Sequence, residues 1–249
     1  MEYGLCHLSI VPVRKEPSDI SEMVTQLLYG DHFKIIEQRK NWVKIRISFD
    51  EYEGWIDSKQ FVVTSSENYH QIASEFPKTA TNLVDYIITE SKQLMAISAG
   101  AVLNAIPFLN HQGDVEFNSE VLSKEKIIET ALLYLNVPYL WGGKSPFGID
   151  CSGFTQMVYK LTGHRLFRDA KQQATQGETL SFIEESEPGD LAFFDNPEGI
   201  ITHVGIIMPE QHIIHAHGKV RIAKLDHSGI FNLETNKHSH KLRVIKQMI

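Results

Sequence analysis

The chain has 249 residues, of which 42% are hydrophobic and 22% charged, and its formal net charge at pH 7 is -7. The composition is ordinary for a globular protein, and the length allows a substantial core and more than one domain. The negative charge and the lack of a dense Lys/Arg run argue against a nucleic-acid surface, and no stretch approaches the roughly 18 apolar residues of a membrane span. The first residues, MEYGLCHLSIVPVRKEPSD, do not resemble a signal peptide. The sequence therefore predicts a cytoplasmic protein, unless a leader has been removed.

Residues 1–63 alternate short apolar runs with turn signals, as in CHLSIVPV, HFKIIEQ, WVKIRISF and EGWIDSKQFVV. Several short strands at close spacing indicate a small β-barrel. Residues 64–118 are mixed in character, although LMAISAGAVLNAIPFL and QGDVEF contain candidate strands. This second region is predicted to be a degenerate second barrel or a linker.

Residues 119–249 are predicted to form the last domain. Ser123 is a plausible N-cap for a helix that ends before Pro138, and its apolar residues recur at helical spacing: Ile127, Ile128, Ala131, Leu132 and Leu135. A second helix is predicted from Ser152, with Gly163 in the left-handed position after it. Four strand-like runs follow: GDLAFF, HVGIIM, HIIHAHG and VRIAKL. Helices followed by an antiparallel sheet indicate an α+β domain.

The stretch GIDCSGF places Cys151 at the predicted N-terminus of the second helix. A thiol attacks carbonyl carbon as the thiolate, and a helix N-terminus is expected to lower the thiol pKa. A lone cysteine is more often a small buried core residue. The polar neighbours and the glycine-rich loop LWGGKSPFG fit that alternative poorly, so Cys151 is the predicted nucleophile. Cys6 lies far away in sequence, and no structural disulfide is expected.

A nucleophilic cysteine needs a base, and histidine is the side chain suited to this role near neutral pH. His203 opens the strand HVGIIM, where Gly205 on the same face is expected to leave space for a substrate or for Cys151. A third group should orient the imidazole, and His215 and His217 share one face of the next strand. A simple hairpin about PEQ places His217 opposite His203 and His215 diagonal to it, although a bulge would change this register.

The runs YLWGGKSPFGIDCSGFTQMVY, EPGDLAFF, THVGIIM and IIHAHG resemble the NlpC-type cysteine peptidases of bacterial cell-wall turnover, over about residues 124–225. The resemblance implies a papain-like fold with Cys151 as nucleophile, His203 as base and His215 as the orienting residue, without a metal or cofactor. Choosing His215 over His217 implies a bulge or a different turn in the hairpin.

The runs SEMVTQLLYGD, NWVKI and YEGWID resemble the bacterial SH3-like domains of γ-D-glutamyl-L-diamino acid endopeptidases, which process muropeptides. In such enzymes the barrel blocks one end of the cleft and helps to recognise the free amine of an N-terminal L-alanine. The resemblance assigns this role to Glu22 and Tyr52. It also implies substrate-contact residues in the catalytic domain: Tyr139, Asp150, Ser152 and Asp169. Many relatives carry serine where this chain has Ala170, which implies one substrate hydrogen bond fewer.

The implied activity is hydrolysis of the bond between γ-D-glutamate and a diamino acid in murein peptides with free N-terminal L-alanine. Asp150 and Glu22 would pair with the substrate ammonium, and backbone N–H groups near Cys151 would stabilise the oxyanion. One alternative is a secreted hydrolase of intact peptidoglycan with the barrels as wall-binding modules, which the missing leader disfavours. Another is a muropeptide-binding module without catalysis, which the complete cysteine and histidine set disfavours. No feature favours papain-like transferase chemistry.

Overall fold

The computed structural model describes residues 2–232 and 235–249. The chain divides into two compact units. The first comprises Met1–Val121 with Trp141–Pro146 and Gly163–Arg165, and the second comprises Leu122–Leu140, Phe147–Thr162 and Leu166–Ile249. Within the described ranges, no helix is both long and apolar enough to cross a membrane.

The first unit begins with seven antiparallel strands in one sheet. They are β1 (Glu2–Leu5), β2 (Ile10–Arg14), β3 (Met23–Leu28), β4 (His32–Arg39), β5 (Trp42–Ile47), β6 (Glu53–Asp57) and β7 (Val62–Thr64). Their order in the sheet is β3-β2-β6-β5-β4-β1-β7. Alternate residues point inward, so that Val43, Ile45 and Ile47 of β5 are buried in the core of this sheet. The all-β fold predicted for this part of the chain is confirmed.

Residues 65–118 add helical and strand elements to the same unit. They are α1 (Ser66–Ser74), β8 (Thr79–Ala80), β9 (Val84–Ile88), β10 (Leu94–Ser98), a 3₁₀ helix (Leu103–Leu109) and β11 (Phe117–Asn118); β12 (Lys144–Ser145) comes later in the chain. The strands pair two at a time, β9 with β10 and β8 with β11. Ile72 of α1 and Ile87 of β9 share one hydrophobic cluster with Leu5 of β1. The interpretation of this region as a second barrel or a linker stays a prediction.

The second unit carries the remaining elements. They are α2 (Glu125–Leu133), β13 (Gly148–Ile149), α3 (Cys151–Leu161), α4 (Ala170–Gln173), β14 (Glu178–Leu180), a 3₁₀ turn (Ile183–Glu185), β15 (Leu191–Asp195), β16 (Ile201–Met208), β17 (His212–His217), β18 (Lys219–Asp226), β19 (Gly229–Asn232) and β20 (Lys237–Gln247). The large sheet has the order β14-β20-β15-β16-β17-β18-β19, and β19 also pairs with β20. Strands β15 to β20 therefore close into a six-stranded barrel, and α3 packs against β16 and β17. The predicted α+β class is confirmed.

Helix α3 is the most deeply buried helix element of this unit, because all eleven of its residues are buried. The sequence predicted an apolar stripe on one face, whereas the polar residues of α3 are buried as well. Thr155 shows how they are satisfied: its hydroxyl donates to the side-chain oxygen of Gln173 at 2.7 Å. The left-handed conformation predicted for Gly163 is confirmed, with φ of 83°.

Candidate active site

Cys151 is the first residue of α3, and the preceding residue caps the helix. The Asp150 carboxylate accepts the Gly153 N–H at 2.6 Å, which satisfies one of the free N–H groups of the first turn. The Cys151 Sγ lies 4.0 Å from the Thr202 carbonyl oxygen and also interacts with the Val204 N–H. The thiol is therefore held against the β16 backbone on both sides of His203.

The thiol is buried, with 7% of Cys151 exposed. Burial raises the pKa of Cys151 to about 12, and the Asp150 charge acts in the same direction. The N–H groups of Val204 and Ser152 and the charge of Arg168 oppose this increase without overcoming it. The Ser152 N–H at the helix N-terminus thus lowers the thiol pKa as expected, but desolvation is the larger effect and the net shift is upward. The resting thiol is therefore protonated at neutral pH.

His203 and His215 form a buried pair. His203 Nε2 lies 2.8 Å from His215 Nδ1, and the two residues are only 6% and 2% exposed. Burial, followed by the neighbouring imidazoles, lowers the pKa of His203 well below its ordinary value, and burial lowers the pKa of His215 to about 3. Both rings are therefore neutral at neutral pH. When His203 Nε2–H donates to His215, the other nitrogen, His203 Nδ1, is left as the proton acceptor.

The β16–β17 hairpin has the simple register, with three paired positions: Ile206 with Ile214, Ile207 with Ile213, and Met208 with His212. Continuing this register places His217 opposite His203 and His215 opposite Gly205. Over the three paired positions the hairpin contains neither the bulge nor the different turn that was expected. His215 nevertheless approaches His203 diagonally, with ring centroids 5.0 Å apart, against 6.4 Å for His217. The residue opposite His203 is therefore His217, whereas the residue that hydrogen-bonds to it is His215.

Gly205 makes the diagonal contact possible. A Cβ atom on this residue would lie 2.9 Å from His215 Cβ and 2.7 Å from Ile213 Cδ1. The expectation that Gly205 leaves space for a substrate or for Cys151 is therefore wrong, since His215 and Ile213 fill that space. Gly205 instead allows His215 to approach β16 closely enough to bind His203.

Two protein families match this chain. The NlpC/P60 family matches residues 136–237, which include Cys151, His203 and His215. The bacterial dipeptidyl-peptidase SH3 domain matches residues 13–61. The chain therefore carries an NlpC/P60 peptidase domain and a bacterial dipeptidyl-peptidase SH3 domain.

Relatives of this NlpC/P60 peptidase extend over both units. It is 28% identical to dipeptidyl-peptidase 6 of Lysinibacillus sphaericus, over 85% of this chain and 87% of the relative. It is 26% identical to the gamma-D-glutamyl-L-lysine dipeptidyl-peptidase of Bacillus subtilis, over 77% of this chain and 71% of that one. The crystal structure of an NlpC/P60 family protein from Bacillus cereus has a TM-score of 0.80 over 99% of both chains at 19% identity, which is a similarity of fold.

In this NlpC/P60 peptidase, Asp150 belongs to a buried ion pair that the sequence did not predict. Arg168 Nη2 donates to one Asp150 oxygen at 2.7 Å and Nη1 donates to the other at 3.0 Å, while Arg168 is 1% exposed. Nη1 also donates to the Ser152 hydroxyl at 3.0 Å. Asp150 and Ser152 thus hold the N-terminus of α3 in a bidentate network. Their predicted contacts with substrate stay predictions.

The other predicted substrate contacts of the catalytic domain occupy two different settings. Tyr139 is half-buried, and its pKa is raised by burial and then by Cys151 and Asp150, so its phenol shares the electrostatic environment of the thiol. Asp169 precedes α4, and its N–H donates to Gln172 Oε1 at 3.1 Å. Ala170 is the first residue of α4 and is buried.

Glu22 and Tyr52 lie in the first unit. Glu22 Oε1 accepts the indole N–H of Trp141 at 2.8 Å, and Lys15 Nζ lies 3.3 Å from the other oxygen. The Trp141 hydrogen bond, followed by Lys15, lowers the pKa of Glu22, so the carboxylate is ionised at neutral pH. Tyr52 packs against the hydrophobic core of the first sheet. Their roles in amine recognition stay predictions.

One further histidine, which the sequence analysis did not predict, lies beside the His203–His215 pair. His240 of β20 stacks on His203, with ring centroids 4.1 Å apart and an interplanar angle of 26°. The segment NKHSHKLRV around it is polar, and no strand was predicted there. The available signal was the alternation of His240, Leu242 and Val244, which are half-buried, with Lys241 and Arg243, which are exposed.

Proposed function

We propose that this peptidase hydrolyses the γ-D-glutamyl–diamino acid bond of murein peptides that carry a free N-terminal L-alanine, as a cytoplasmic step of peptidoglycan-peptide recycling. The observation that carries the proposal is the buried His203–His215 pair, because His203 lies on β16, the strand against which the Cys151 thiol is held. It is supported by a relative named gamma-D-glutamyl-L-lysine dipeptidyl-peptidase, whose similarity covers 77% of this chain. That relative also extends the proposal to lysine as a diamino acid.

The proposed mechanism gives one role to each catalytic group. Cys151 Sγ attacks the carbonyl carbon of γ-D-glutamate while its proton passes to His203 Nδ1, and the carbonyl electron pair moves to oxygen. Backbone N–H groups at the start of α3 stabilise that oxyanion. The intermediate collapses by breaking the C–N bond, and the leaving amine takes the proton from His203.

Water then attacks the thioester, with His203 again as base, and releases the glutamyl product and the thiol. During both steps His203 carries a positive charge that its Nε2–H···Nδ1 bond to His215 stabilises. Because the resting thiol and imidazole are both neutral, proton transfer accompanies attack instead of preceding it.

The proposal gives recognition of the substrate amine to Glu22 and Tyr52. An ionised carboxylate forms charge-assisted hydrogen bonds with an ammonium, and Glu22 is ionised at neutral pH. Asp150 is less suited to this role than the sequence implied, because Arg168 already neutralises it through two hydrogen bonds.

The test compares L-Ala-γ-D-Glu-diamino acid tripeptides with their N-acetyl counterparts, using diaminopimelate and lysine, and includes intact sacculi. A charged hydrogen bond contributes about 1.5–3 kcal/mol, so acetylation should lower kcat/KM at least about tenfold. Glu22→Gln and Tyr52→Phe should reduce this discrimination and retain turnover. Glu37→Gln is the matched control, because Glu37 is a barrel carboxylate paired with Arg39.

Three results would contradict the proposal in different ways. Equal rates on free and acetylated peptides would refute amine recognition. Release of peptides from intact sacculi at rates that exceed those on free tripeptides would favour a wall hydrolase. Binding of tripeptides without cleavage would favour a binding module.

A further inference from the structure

We infer that His240 is a positioning residue of the active site, which holds the imidazole of His203 in the plane required for proton transfer. This inference rests on the proposed function, because it takes His203 as the base. His240 lies on β20, a strand that neither the catalytic motif nor the His203–His215 pair includes.

The geometry around His203 shows what the stack adds. A single hydrogen bond at Nε2 leaves the ring free to tilt about that nitrogen, and the tilt would move Nδ1 away from the thiol. His240 lies against the face of the ring at 4.1 Å between centroids, and Phe194 lies at 5.8 Å with an angle of 46°. The stacked His240 ring opposes the tilt, so hydrogen bond and stack together fix the direction of Nδ1.

His240 is itself held in place. Its Nδ1 lies 2.8 Å from the Ser239 hydroxyl, which also lies 3.4 Å from the Ile230 carbonyl oxygen. When Ser239 donates to that carbonyl, its oxygen accepts the Nδ1–H of His240. The β19–β20 register shifts between Ile230 and Phe231, directly beside this position. Bulges of this kind re-aim side chains, and here the re-aimed ring lies on the base.

The charge state of His240 suits the role. Four groups face His203 from the elements packed against it: His215 and His217 from β17, His240 from β20, and Cys151 from α3. The positive charge of Arg221 on β18 also lowers the pKa of His215. Burial, followed by His217, lowers the pKa of His240 to about 4, so the ring is neutral at neutral pH. A neutral stacked ring keeps water from the base without repelling the imidazolium that forms during turnover.

Three variants of His240 test the inference, with kcat, KM and the pH dependence of kcat/KM measured on the free tripeptide. An aromatic stack contributes about 0.5–1.5 kcal/mol, so His240→Ala and His240→Leu should lower kcat about two- to tenfold with little change in KM. His240→Phe keeps a flat ring and should retain wild-type kcat. In His240→Ala, water reaches the base, so the acid limb should move up towards the ordinary histidine pKa of about 6.5.

The control is His238→Ala on the same strand, since His238 is exposed, pairs with Asp226 and should leave both kcat and the acid limb unchanged. Tm is recorded for every variant. If His240→Ala is unstable, His240→Leu replaces it in the test, because leucine fills the space of the imidazole without providing a flat ring. Wild-type kcat and acid limb in the alanine or leucine variant would overturn the inference. So would equal impairment of the phenylalanine and alanine variants. Failure of the wild type to cleave, or cleavage by Cys151→Ala, would instead refute the proposed function.

Discussion

Replacing Gly205 with alanine should move His215 away from His203. The added Cβ would lie 2.7 and 2.8 Å from two Ile213 side-chain atoms and 2.9 Å from His215 Cβ, whereas ordinary contact begins at 3.4 Å. Ile213 is fully buried and cannot move away, so His215 has to shift by about half an ångström. Such a shift lengthens the 2.8 Å bond to His203 beyond the range of a good hydrogen bond.

We expect this substitution to cost about 1–3 kcal/mol of stability through overpacking. The misplaced base should lower kcat about ten- to a hundredfold. Steady-state kinetics on the free tripeptide and calorimetric Tm values measure the two effects separately. Adding Ile213→Val removes the Cδ1 atom at 2.7 Å and should recover part of the lost stability, while kcat stays low because the His215 contact remains.

Gly199→Ala is the matched control. Gly199 has φ of 76° and nothing within 4 Å of the added atom, so alanine costs about 1–2 kcal/mol of backbone strain without touching the histidines. If Gly205→Ala keeps wild-type kcat, or loses no more kcat than Gly199→Ala at equal loss of Tm, the positioning role of Gly205 is refuted.

Three other outcomes are expected. Cys151→Ser should abolish turnover, and residual turnover in this variant would refute the assignment of Cys151 as the nucleophile. Cys6→Ser should leave kcat unchanged, because Cys6 is fully buried in the first unit and burial raises its thiol pKa. His215→Ala should lower kcat about tenfold or more and His217→Ala less, as tripeptide assays can show, and the reverse order would assign the orienting role to His217. His215 titrates near 6.5 in the unfolded chain and near 3 in the folded one, so the unfolded state binds more protons between these values. Its contribution to stability is complete above pH 6.5 and is lost as pH falls, by about 2 kcal/mol at pH 5. Urea unfolding at pH 7 and 5 should show a smaller loss for His215→Gln than for wild type, and equal losses would contradict a neutral buried His215.

The sequence predicted those strands that carry mostly apolar residues between turn signals. The four strands β15 to β18 carry apolar runs bounded by turns, and their positions agree with the sequence analysis. Strand β20, which closes the barrel, was missed because almost all of its residues are at least partly exposed and its sequence is polar. Helix α1 was missed for a similar reason, since it buries only Tyr69 and Ile72.

Helix α2 shows the limit of periodicity as a guide to burial. Leu132 and Leu135 were predicted to be part of its apolar stripe, but they are 41% and 40% exposed. Ile127 and Ala131 are buried as predicted, and Tyr134, which the pattern omitted, is fully buried. Spacing locates a helix, but the packed neighbours decide which part of its surface is covered.

Within the candidate site, the motif located Cys151, His203 and His215, whereas their supporting residues could not be inferred from it. Arg168 reaches Asp150 across 18 positions, and His240 reaches His203 across a strand that the sequence did not predict. Neither contact has a local pattern, because each depends on how the chain returns to the site.

The three-residue connection between β16 and β17 restricts how this protein can vary in length. Glu210 and Gln211 both have left-handed backbone conformations, with φ of 57° and 56°. Surface loops generally accept insertions, and such turns are favoured sites for fused peptides and new chain termini. Here an insertion that shifted the β16–β17 register by one residue would turn the imidazole of His215 to the opposite face of its strand. Changes of length in this exposed turn are therefore compatible with the His203–His215 bond only where the longer loop leaves the strand register unchanged.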